Sequence, residues 1–389
     1  MALPLAYNVR NVRVRWRLAL LAVLGVGAVV AVFAVLMAMS EGFAAALRST
    51  GRDDNAIVVR QGADTERVSE VSLEHRNAIL DHARLARGPD GQVLASPERL
   101  VGTRLLRRSD GRSTRVTLRG VTPRAFDVRG GIRIVSGRRF RPGLTEVIVG
   151  RRIAARARGA EVGGTLRAGR KEFQVVGVFE SDGAAFESEI WGDHDVVGGV
   201  YKLGAGSNAL VVRVPHPSDI PALDRWIRAQ PQMPLRAVPE RQYYALQAGP
   251  MAATLQALAG LVALIMGVGA VFGTMNTMYA IVAARTREIG TLRAMGFTRR
   301  AILFSFVVES AVLALLGGVL GCLLAASVHG YSTGTMNLQT LSELAFAFRV
   351  TPAIVATSLA FAVIMGIAGG LLPALRAARL SIAGAVREG

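Results

Sequence analysis

Two long stretches with almost no charge flank a short basic segment, and this arrangement limits the chain to few architectures. Residues Met251–Ala284 carry no formal charge, and Ala301–Val328 carry only Glu309. Each stretch is longer than the ~20 apolar residues that a membrane-spanning helix requires. The segment between them, residues 285–300, holds five arginines and one acid, which is the composition of a cytoplasmic loop. We therefore predict a membrane protein with these two spans joined inside the cell.

Four segments satisfy the length criterion for a membrane span, and their flanking charges agree on one orientation. Hydrophobic residues make up 51% of the sequence, and the mean hydropathy is +0.37, too high for an ordinary soluble domain. Arginines precede the first segment and follow the second and fourth, which predicts cytoplasmic termini and a long outer segment. A cleaved signal peptide is less favoured, because the first stretch exceeds the ~7–15 apolar residues of a signal core. The four segments are Leu18–Met39, Met251–Ala284, Ala301–Val328 and Thr351–Leu375.

The predicted fold class is a membrane protein with four transmembrane α-helices and a large α/β extracytoplasmic domain inserted between helices 1 and 2. Apolar residues at helical spacing before helix 1 indicate an interfacial helix, or simply the start of helix 1 itself. The predicted boundaries are 1–17 for this cytoplasmic amphipathic segment, 18–40 for helix 1, 41–248 for the outer domain, 249–284 for helix 2 with a stalk, 285–300 for the cytoplasmic connection, 301–328 for helix 3, 329–350 for an outer loop, 351–375 for helix 4 and 376–389 for a cytoplasmic tail.

The outer segment has the pattern of a mixed α/β domain. Short β-branched and apolar runs predict strands, and two periodic segments predict helices, the second opened by Ser218 as its N-cap. Cys322 is the only cysteine, so no intrachain disulfide is possible, and ~200 residues suffice for the domain to bury its own core. The predicted strands are Ala56–Arg60, Arg115–Arg119, Glu146–Val149, Phe173–Phe179 and Ala209–Val214, and the predicted helices are Leu73–Ala83 and Ile220–Ala229.

The connection between helices 2 and 3 carries a spaced motif rather than basic residues alone. It reads Arg287-Glu288-Ile289-Gly290, then Leu292-Arg293-Ala294-x-Gly296, with Ile302 following. This pattern resembles the signature of the FtsX/MacB-like permeases of ABC transporters. Matches to the MacB-type periplasmic domain, and a final motif near the C-terminus, extend the resemblance over nearly the whole chain. They are Gly120-Val121, Gly137-Arg138 with Phe140, Glu146-Val147 with Gly150, Val162-Gly163, Phe173–Val178 and Pro373-Ala374-x-Arg376-Ala377-Ala378.

The resemblance implies that the connection is a coupling helix that docks on a cytoplasmic ABC ATPase subunit. It further implies a homodimer or a heterodimer with a related permease, a possible periplasmic adaptor, and a place in the cell inner membrane. The sequence contains no G-x-x-x-x-G-K-[ST] loop, so we expect no enzymatic activity and no cofactor in this chain, with ATP and Mg bound by the partner ATPase. The docking residues that the resemblance assigns are Arg287, Glu288, Ile289, Gly290, Leu292, Arg293, Ala294 and Gly296.

Three glycine pairs and one acid mark the spans themselves. Small residues four positions apart let membrane helices approach closely, which predicts helix packing at Gly269/Gly273, Gly317/Gly321 and Gly366/Gly370. Glu309 is the one charge within a span, and acids buried in membranes are usually paired or functional. We predict a structural or coupling role for Glu309 rather than proton transport. Its carboxylate would bond a neighbouring Ser or Thr, or reach the cytoplasmic interface.

Charge is unevenly distributed along the outer domain. The arginine-rich stretch from Arg99 to Arg170 has four acids, whereas Glu180–Asp195 has six acids and no Lys or Arg. The basic stretch either binds an anionic partner, such as membrane lipid or an acidic protein surface, or is the solvated surface of an arginine-biased chain. Lys171 and Lys202 are the only lysines, which favours compositional bias. We expect no nucleic acid partner, because this domain faces away from the cytoplasm. We predict no metal site either, because the acidic stretch lacks the spacing of a calcium loop.

The sequence thus predicts a permease subunit that couples ATP hydrolysis by a separate ATPase to motion of a periplasmic domain, for export or release of an envelope substrate. Two alternatives remain open. The first is a non-transporting subunit that transmits motion to an envelope partner such as a cell-wall hydrolase. The second is release of lipoproteins or lipids from the inner membrane.

Overall fold

The computed structural model describes residues 16–82, 84–337, 340 and 342–380, which form two compact units. Within the described residues, the helical unit comprises 16–41, 253–331 and 348–380, and the α/β unit comprises 42–252 and 332–347. The helices Trp16–Arg48 and Glu240–Ala283 each contribute residues to both units. The amphipathic segment predicted at 1–17 lies outside the described residues except for its last two positions.

The helical unit contains four helices that are long and apolar enough to cross a membrane. The predicted four-helix membrane architecture with an α/β domain between helices 1 and 2 is confirmed. Threonine side chains cap two of the helices: Thr298 Oγ1 accepts from Ala301 N (3.3 Å), and Thr351 Oγ1 accepts from Ile354 N (3.3 Å). The four helices are Trp16–Arg48, Glu240–Ala283, Arg299–Ala326 and Pro352–Arg379, and a short connecting helix, Thr286–Ala294, lies between the second and third.

Two of the three predicted glycine pairs lie where long helices approach closely. A Cβ on Gly317 would lie 2.7 Å from the carbonyl oxygen of Val23 on the first helix. A Cβ on Gly366 would lie 2.8 Å from the carbonyl oxygen of Ser310 on the third helix. Gly321 and Gly370 make similarly close approaches one turn further along. Backbone atoms occupy this space at Gly317, Gly321 and Gly366, and the Ser310 side chain occupies it at Gly370, so a larger residue at any of these positions would force its neighbours to shift.

The α/β unit is built on a ten-stranded mixed sheet. The strand order is β10-β1-β9-β2-β3-β8-β5-β7-β4, with β6 paired to β7. Strand β3 runs parallel to β8, and β5 runs parallel to β7, while the remaining pairs are antiparallel. The strands are β1 Asn55–Arg60, β2 Ala95–Leu106, β3 Ser113–Val121, β4 Arg133–Gly137, β5 Glu146–Gly150, β6 Thr165–Ala168, β7 Lys171–Glu180, β8 Glu189–Asp193, β9 Ala209–Arg213 and β10 Leu235–Pro239.

Short helices pack on this sheet. The prediction of Ser218 as a helix N-cap is wrong. The helix at Ile220 is preceded by a 3₁₀ turn, Pro217–Asp219, so Asp219 is its N-cap and Ser218 lies inside the turn. Pro217 favours this turn because its fixed φ suits a helical start. The helices are Leu73–Leu80, Ala125–Arg129, Arg151–Arg156, His194–Val200 and Ile220–Arg228, with further 3₁₀ turns at Glu66–Val68 and Ala185–Ser188.

The stretch predicted as a plain outer loop, 329–350, contains a β-hairpin that belongs to the α/β unit. Its strands are β11, Ser332–Asn337, and β12, Ser342–Ala347. The hairpin is bonded to the rest of that unit, because Thr117 Oγ1 donates to Ser342 Oγ (3.1 Å) and Ala345 N donates to Ser188 Oγ (2.9 Å). The α/β unit is therefore assembled from two separate parts of the chain.

The second long helix begins earlier than predicted. It starts at Glu240 rather than at residue 249, and Pro250 lies inside it. Its first residues, 240–252, belong to the α/β unit and the remainder to the helical unit. The sequence did not predict residues 240–248 as helix, because polar residues such as Arg241 and Gln247 precede the apolar run that marks the membrane span. The first helix is also longer than predicted, since it ends at Arg48 rather than at residue 40.

Candidate functional site

The connecting helix, Thr286–Ala294, packs one face against the long helices. Ile289 and Gly290 are buried on that face. Ile289 joins an apolar cluster with Met278 of the second helix, Phe306 of the third and Ala374 of the fourth. Apolar residues lie at helical spacing in Thr286–Ala294, which explains this placement, since a short helix is stabilised chiefly by burying one face. The connecting helix is thus in contact with three long helices at once.

A buried ion pair fixes the start of the connecting helix. Arg285 Nη1 lies 2.9 Å from Glu309 Oε2 on the third helix, and its Nε lies 3.2 Å from Glu288 Oε2. Both Arg285 and Glu309 are buried, at 5% and 3% exposure. The Arg285 guanidinium also lies over the Phe306 ring, 5.0 Å from its centroid. Sequence reasoning singled out Glu309 but missed this partner, which lies 24 residues away.

A glycine turn fixes the end of the connecting helix. Gly296 has φ +95°, the left-handed region that favours glycine. Phe297 N donates to the Leu292 carbonyl (3.2 Å) and Gly296 N to the Arg293 carbonyl (3.1 Å), the two bonds of a Schellman motif. Arg293 Nη1 donates to the Ala378 carbonyl at the end of the fourth helix (3.0 Å). Gly296 and Arg293 therefore position the segment.

The residues assigned to ATPase docking divide into two sets in the structure. Ile289 and Gly290 are buried, and Leu292 and Arg293 are half-buried. The exposed face of the connecting helix, together with the residue after it, consists of Arg287, Glu288, Thr291, Ala294 and Met295. Met295, the C-cap of the helix, is 63% exposed. We name these five residues the exposed connecting face.

A second charged centre lies inside the α/β unit. Arg129 donates to both carboxylate oxygens of Glu98, at 2.8 and 2.6 Å, and its Nη1 also contacts Glu240. Arg119 donates to both oxygens of Glu189, each at 2.7 Å, and to Glu66 and Glu98 at 2.9 and 2.6 Å. All six side chains are buried. Neighbouring strands β2, β3 and β8 supply Glu98, Arg119 and Glu189, so the sheet itself brings the charges together.

This charge network holds the first residue of the second long helix. The Glu240 carboxylate accepts from Asn55 Nδ2 (2.8 Å) and from Arg52 N (3.2 Å), in addition to its contact with Arg129. Gly51, with φ +87°, passes so close that a Cβ there would lie 2.6 Å from Glu240 Cγ. Sequence reasoning missed the network, because nothing in the local sequence pairs residues so far apart.

The network also shifts the ionisation of Glu98. Burial opposes ionisation of this carboxyl, but the charges of Arg129 and Arg119 outweigh burial and lower its pKa from 4.5 to about 2. Glu98 is therefore ionised at neutral pH and depends on its two arginines.

The sequence of the α/β unit matches a known family. Residues 18–230, more than half of the chain, match the MacB-like periplasmic core domain. The chain belongs to the MacB/FtsX-type ABC transporter permeases. Residues 260–382 of the permease also match the FtsX-like permease C-terminal domain, which includes the connecting helix. The predicted family is confirmed.

Individual relatives of the permease are ABC transporter proteins. It is 39% identical over 115 residues to the Bacillus subtilis (strain 168) uncharacterized ABC transporter permease YvrN, covering 30% of this chain and 26% of that one. It is 27% identical over 327 residues to a Paracoccus denitrificans macrolide export ATP-binding/permease protein MacB 1/2, covering 79% of this chain and 47% of the relative. A Pseudomonas fluorescens pyoverdine export ATP-binding/permease protein PvdT is 39% identical over 127 residues, covering 33% and 18%. The matched part of the permease spans less than half the length of each relative.

Solved structures similar to the permease include two outer domains. The extracellular domain of the noncanonic ABC-type transporter YknZ from Gram-positive bacteria is 14% identical, with a TM-score of 0.36, covering 47% of this chain and 99% of that one. The periplasmic region of MacB from Actinobacillus actinomycetemcomitans is 13% identical, with a TM-score of 0.38, covering 50% and 92%.

Proposed function

We propose that this permease couples ATP hydrolysis by a separate cytoplasmic ATPase to movement of its α/β domain, and so exports or releases an envelope substrate. The observation that carries the proposal is the connecting helix, which is tied to three long helices and keeps one face uncovered. ATP and Mg would be bound by the ATPase, and the connecting helix would receive its movement. Both termini would be cytoplasmic, and the α/β domain would lie outside the inner membrane.

The contacts of the connecting helix support its role as a receiver of force. The Arg285–Glu309 ion pair joins it to the third helix, and the bond from Arg293 to Ala378 joins it to the fourth. Ile289 packs into the apolar cluster between the helices. A partner that pushes on the exposed connecting face would therefore move the inner ends of several helices together.

The second long helix supports transmission to the α/β domain. It runs as one helix from Glu240 to Ala283, with Pro250 near its start. Its first residue is held by the buried charge network, and its last residue stands two positions before Arg285. A displacement at the connecting helix would reach the α/β domain along this one element.

We propose a dimer as the working form, either of two copies or with a related permease. One groove of about 430 Å³ lies between the first and second long helices. Gly25, Gly269 and Gly273 line it, and among the described residues nothing lies within 4 Å of a Cβ built on any of them. Thr274 also lines the groove, and its buried Oγ1 has no hydrogen-bond partner in the described part of the chain. A helix of the second subunit would supply close packing for the glycines and a partner for Thr274.

Export is favoured over the other two roles because matched relatives are named as macrolide and pyoverdine exporters. Regulation of a cell-wall hydrolase and release of lipoproteins or lipids would use the same movement with a different outer partner.

Docking on the ATPase can be tested through the exposed connecting face. We expect the double substitution Arg287→Ala, Met295→Ala to reduce co-purification of the cognate ATPase at least tenfold, because it removes a charge and an apolar contact without touching the buried face. The matched control is Arg167→Ala, Met336→Ala, which changes an exposed arginine and an exposed methionine of the α/β unit. Equal ATPase capture by both double variants would rule out docking through this face.

A further inference from the structure

Most arginines of the basic stretch between Arg99 and Arg170 already have partners in the α/β unit. Their charges are neutralised by acids from other parts of the sequence as well as by the four acids within the stretch. The pairs with acids are Arg107 with Glu343, Arg108 with Glu161, Arg112 with Asp110, Arg119 with Glu66, Glu98 and Glu189, Arg124 with Asp90 and Asp127, Arg129 with Glu98 and Glu240, Arg133 with Glu180 and Asp182, Arg138 and Arg141 with Glu146, Arg151 with Glu180, Arg152 with Glu187, and Arg156 with Glu343. Most of the positive charge in this stretch is therefore neutralised by ion pairs within the α/β unit.

Two arginines of this stretch stand together without such a partner. Arg104 on β2 and Arg115 on β3 are direct cross-strand neighbours, so their side chains leave the same face of the sheet. Neither has an ion pair with any residue that the structure describes. Like charges at directly opposed positions of two antiparallel strands destabilise the sheet. The protein therefore carries an electrostatic cost at this position.

Arg67 adds a third guanidinium to the pair. Its Nη1 lies 3.6 Å from the position of a Cβ on Gly102, and Arg115 Cδ lies 3.2 Å from the same position. Gly102 is two residues before Arg104 on β2, so it stands on the same face. The missing side chain at Gly102 leaves the space into which Arg67 and Arg115 converge. A larger residue there would press on Arg115.

Arg67 is held in this position by its surroundings. Its Nη1 donates to the Thr340 carbonyl (2.6 Å), and its own carbonyl accepts from Asn208 Nδ2 (3.4 Å). The side chain is half-buried, and both burial and the charge of Arg115 lower its pKa below the ordinary arginine value.

Two neighbouring acids, Glu66 and Glu343, are already engaged with other arginines. Glu66, next to Arg67, binds Arg119 and accepts from Tyr244 (3.2 Å). Glu343 of the hairpin binds Arg107 and Arg156. Within the described residues, no carboxylate forms a salt bridge with Arg67, Arg104 or Arg115. Arg104 is exposed and Arg115 is half-buried, so an anion from solution can reach these guanidinium groups.

We propose that Arg67, Arg104 and Arg115 form a binding site for a phosphate-type oxyanion. Guanidinium groups bind phosphate oxygens through paired N–H donors, and three of them match the three exposed oxygens of a phosphate ester. The oxyanion would be carried either by an anionic lipid headgroup or by a small soluble phosphate compound. The site is independent of the proposed ATPase coupling, because it uses residues of the α/β unit alone.

The test is a titration of the full chain, purified in an uncharged detergent, with two probes at constant ionic strength. Inorganic phosphate represents a soluble ligand, and dihexanoyl phosphatidylglycerol represents a headgroup, with dihexanoyl phosphatidylcholine as its zwitterionic reference. We expect the double variant Arg104→Gln, Arg115→Gln to bind the active probe at least tenfold more weakly than the unchanged protein. The control Arg167→Gln, Arg170→Gln removes the same charge from exposed positions of the same unit and should bind as the unchanged protein does.

The outcomes distinguish a soluble phosphate ligand from a lipid headgroup, and both from the absence of a site. Phosphate binding that is lost only in the Arg104/Arg115 variant supports a soluble ligand, and phosphatidylglycerol binding lost in the same way supports a headgroup. Thermal unfolding without either probe checks the fold: the Arg104/Arg115 variant should be at least as stable as the unchanged protein, because the substitutions relieve repulsion. Three results would overturn the site: no binding of either probe, equal weakening in both double variants, or normal binding by the Arg104/Arg115 variant.

Discussion

Arg285 and Glu309 bring a positive and a negative charge into the interior of the helical unit. Each charge is buried, and removal from water costs several kcal/mol per ion unless the partner compensates. The ion pair at 2.9 Å, together with the bond to Glu288, supplies that compensation. One member of the pair without the other is thus worse than neither.

This asymmetry makes a prediction at the residue scale. We expect Glu309→Leu to lower the free energy of unfolding, by at most about 3–5 kcal/mol, because the buried Arg285 loses its buried carboxylate and keeps the bond to Glu288, which is half exposed. The double variant Arg285→Met, Glu309→Leu should recover most of that loss, because no charge then stays buried. Thermal unfolding in detergent measures both. If the double variant is as unstable as the single one, the pair contributes mainly through packing.

Glu98 gives a second prediction at the residue scale, about pH. Its pKa falls from 4.5 in an unfolded chain to about 2 in the folded protein, so the folded state prefers the ionised form. A lowered carboxyl pKa contributes stability that is present above about pH 4.5 and is lost as the pH falls toward 2. We expect Glu98→Gln to be destabilised at neutral pH, and its deficit relative to the unchanged protein to shrink over that window.

Chemical denaturation at several pH values tests the Glu98 prediction. The matched control is Glu161→Gln, which removes an exposed acid whose partner Arg108 is also exposed, and such pairs contribute little. A deficit for Glu98→Gln that stays constant from neutral pH to pH 3 would contradict the ionised state assigned to Glu98.

At the scale of elements, the second long helix contains both Glu240, which the charge network holds, and the residues leading into the connecting helix. Its proline, Pro250, lies near the boundary between the two units rather than in the apolar run. The run from Met251 onward contains several glycines but no proline, so its backbone hydrogen bonds can continue through the span. A break in this run should uncouple its two ends.

We expect Leu261→Pro to abolish transmission while leaving ATPase binding intact. Proline inside a helix costs about 3 kcal/mol or more and removes a backbone bond. Leu261 is 55% exposed, so little side-chain packing is lost, and Leu261→Ala serves as the control. Spin labels on the α/β domains of paired subunits should show a distance change on ATP trapping in the control and none in the proline variant. Identical changes in both would place transmission in another element.

At the scale of the whole molecule, the two units differ in what assembles them. The α/β unit needs the hairpin β11–β12 from a distant part of the chain, so a fragment spanning only 42–248 would lack two strands and the Ser342 and Ala345 contacts. The helical unit packs its third and fourth helices tightly through Gly366 and Gly370, whereas the groove beside Gly269 and Gly273 stays open.

The open groove predicts where a second subunit packs. With Cys322→Ser as background, we expect Gly269→Cys to form a disulfide-linked permease dimer in membranes under mild oxidation. Leu264→Cys, on another face of the same helix and 65% exposed, should cross-link much less. Gel mobility with and without reductant provides the measurement. Stronger cross-linking through residue 264 than through residue 269 would place the dimer contact on a different surface.

The amino-acid sequence alone determined the four spans, the α/β character of the domain between the first two spans, and the motif between the second and third. These features depend on local quantities: the length of an apolar run, the charges beside it, and the spacing of residues within one helix or strand. The same quantities identified Gly317 and Gly366 as packing positions, because small residues four apart create a flat helix face wherever they occur.

Only the tertiary structure decided which charges pair and which glycines lie at close contacts between helices. Glu309 on the third helix pairs with Arg285, which precedes the connecting helix. Glu98 and Glu240 both pair with Arg129, although they lie far apart in the sequence. It also separated the motif of the connecting segment into a buried face around Ile289 and an exposed face around Arg287. Among the residues that the structure describes, it left Arg104 and Arg115 without an acid. The physical reason is that an ion pair needs atoms within a few ångströms, and sequence spacing carries no information about that distance once the partners lie on different elements.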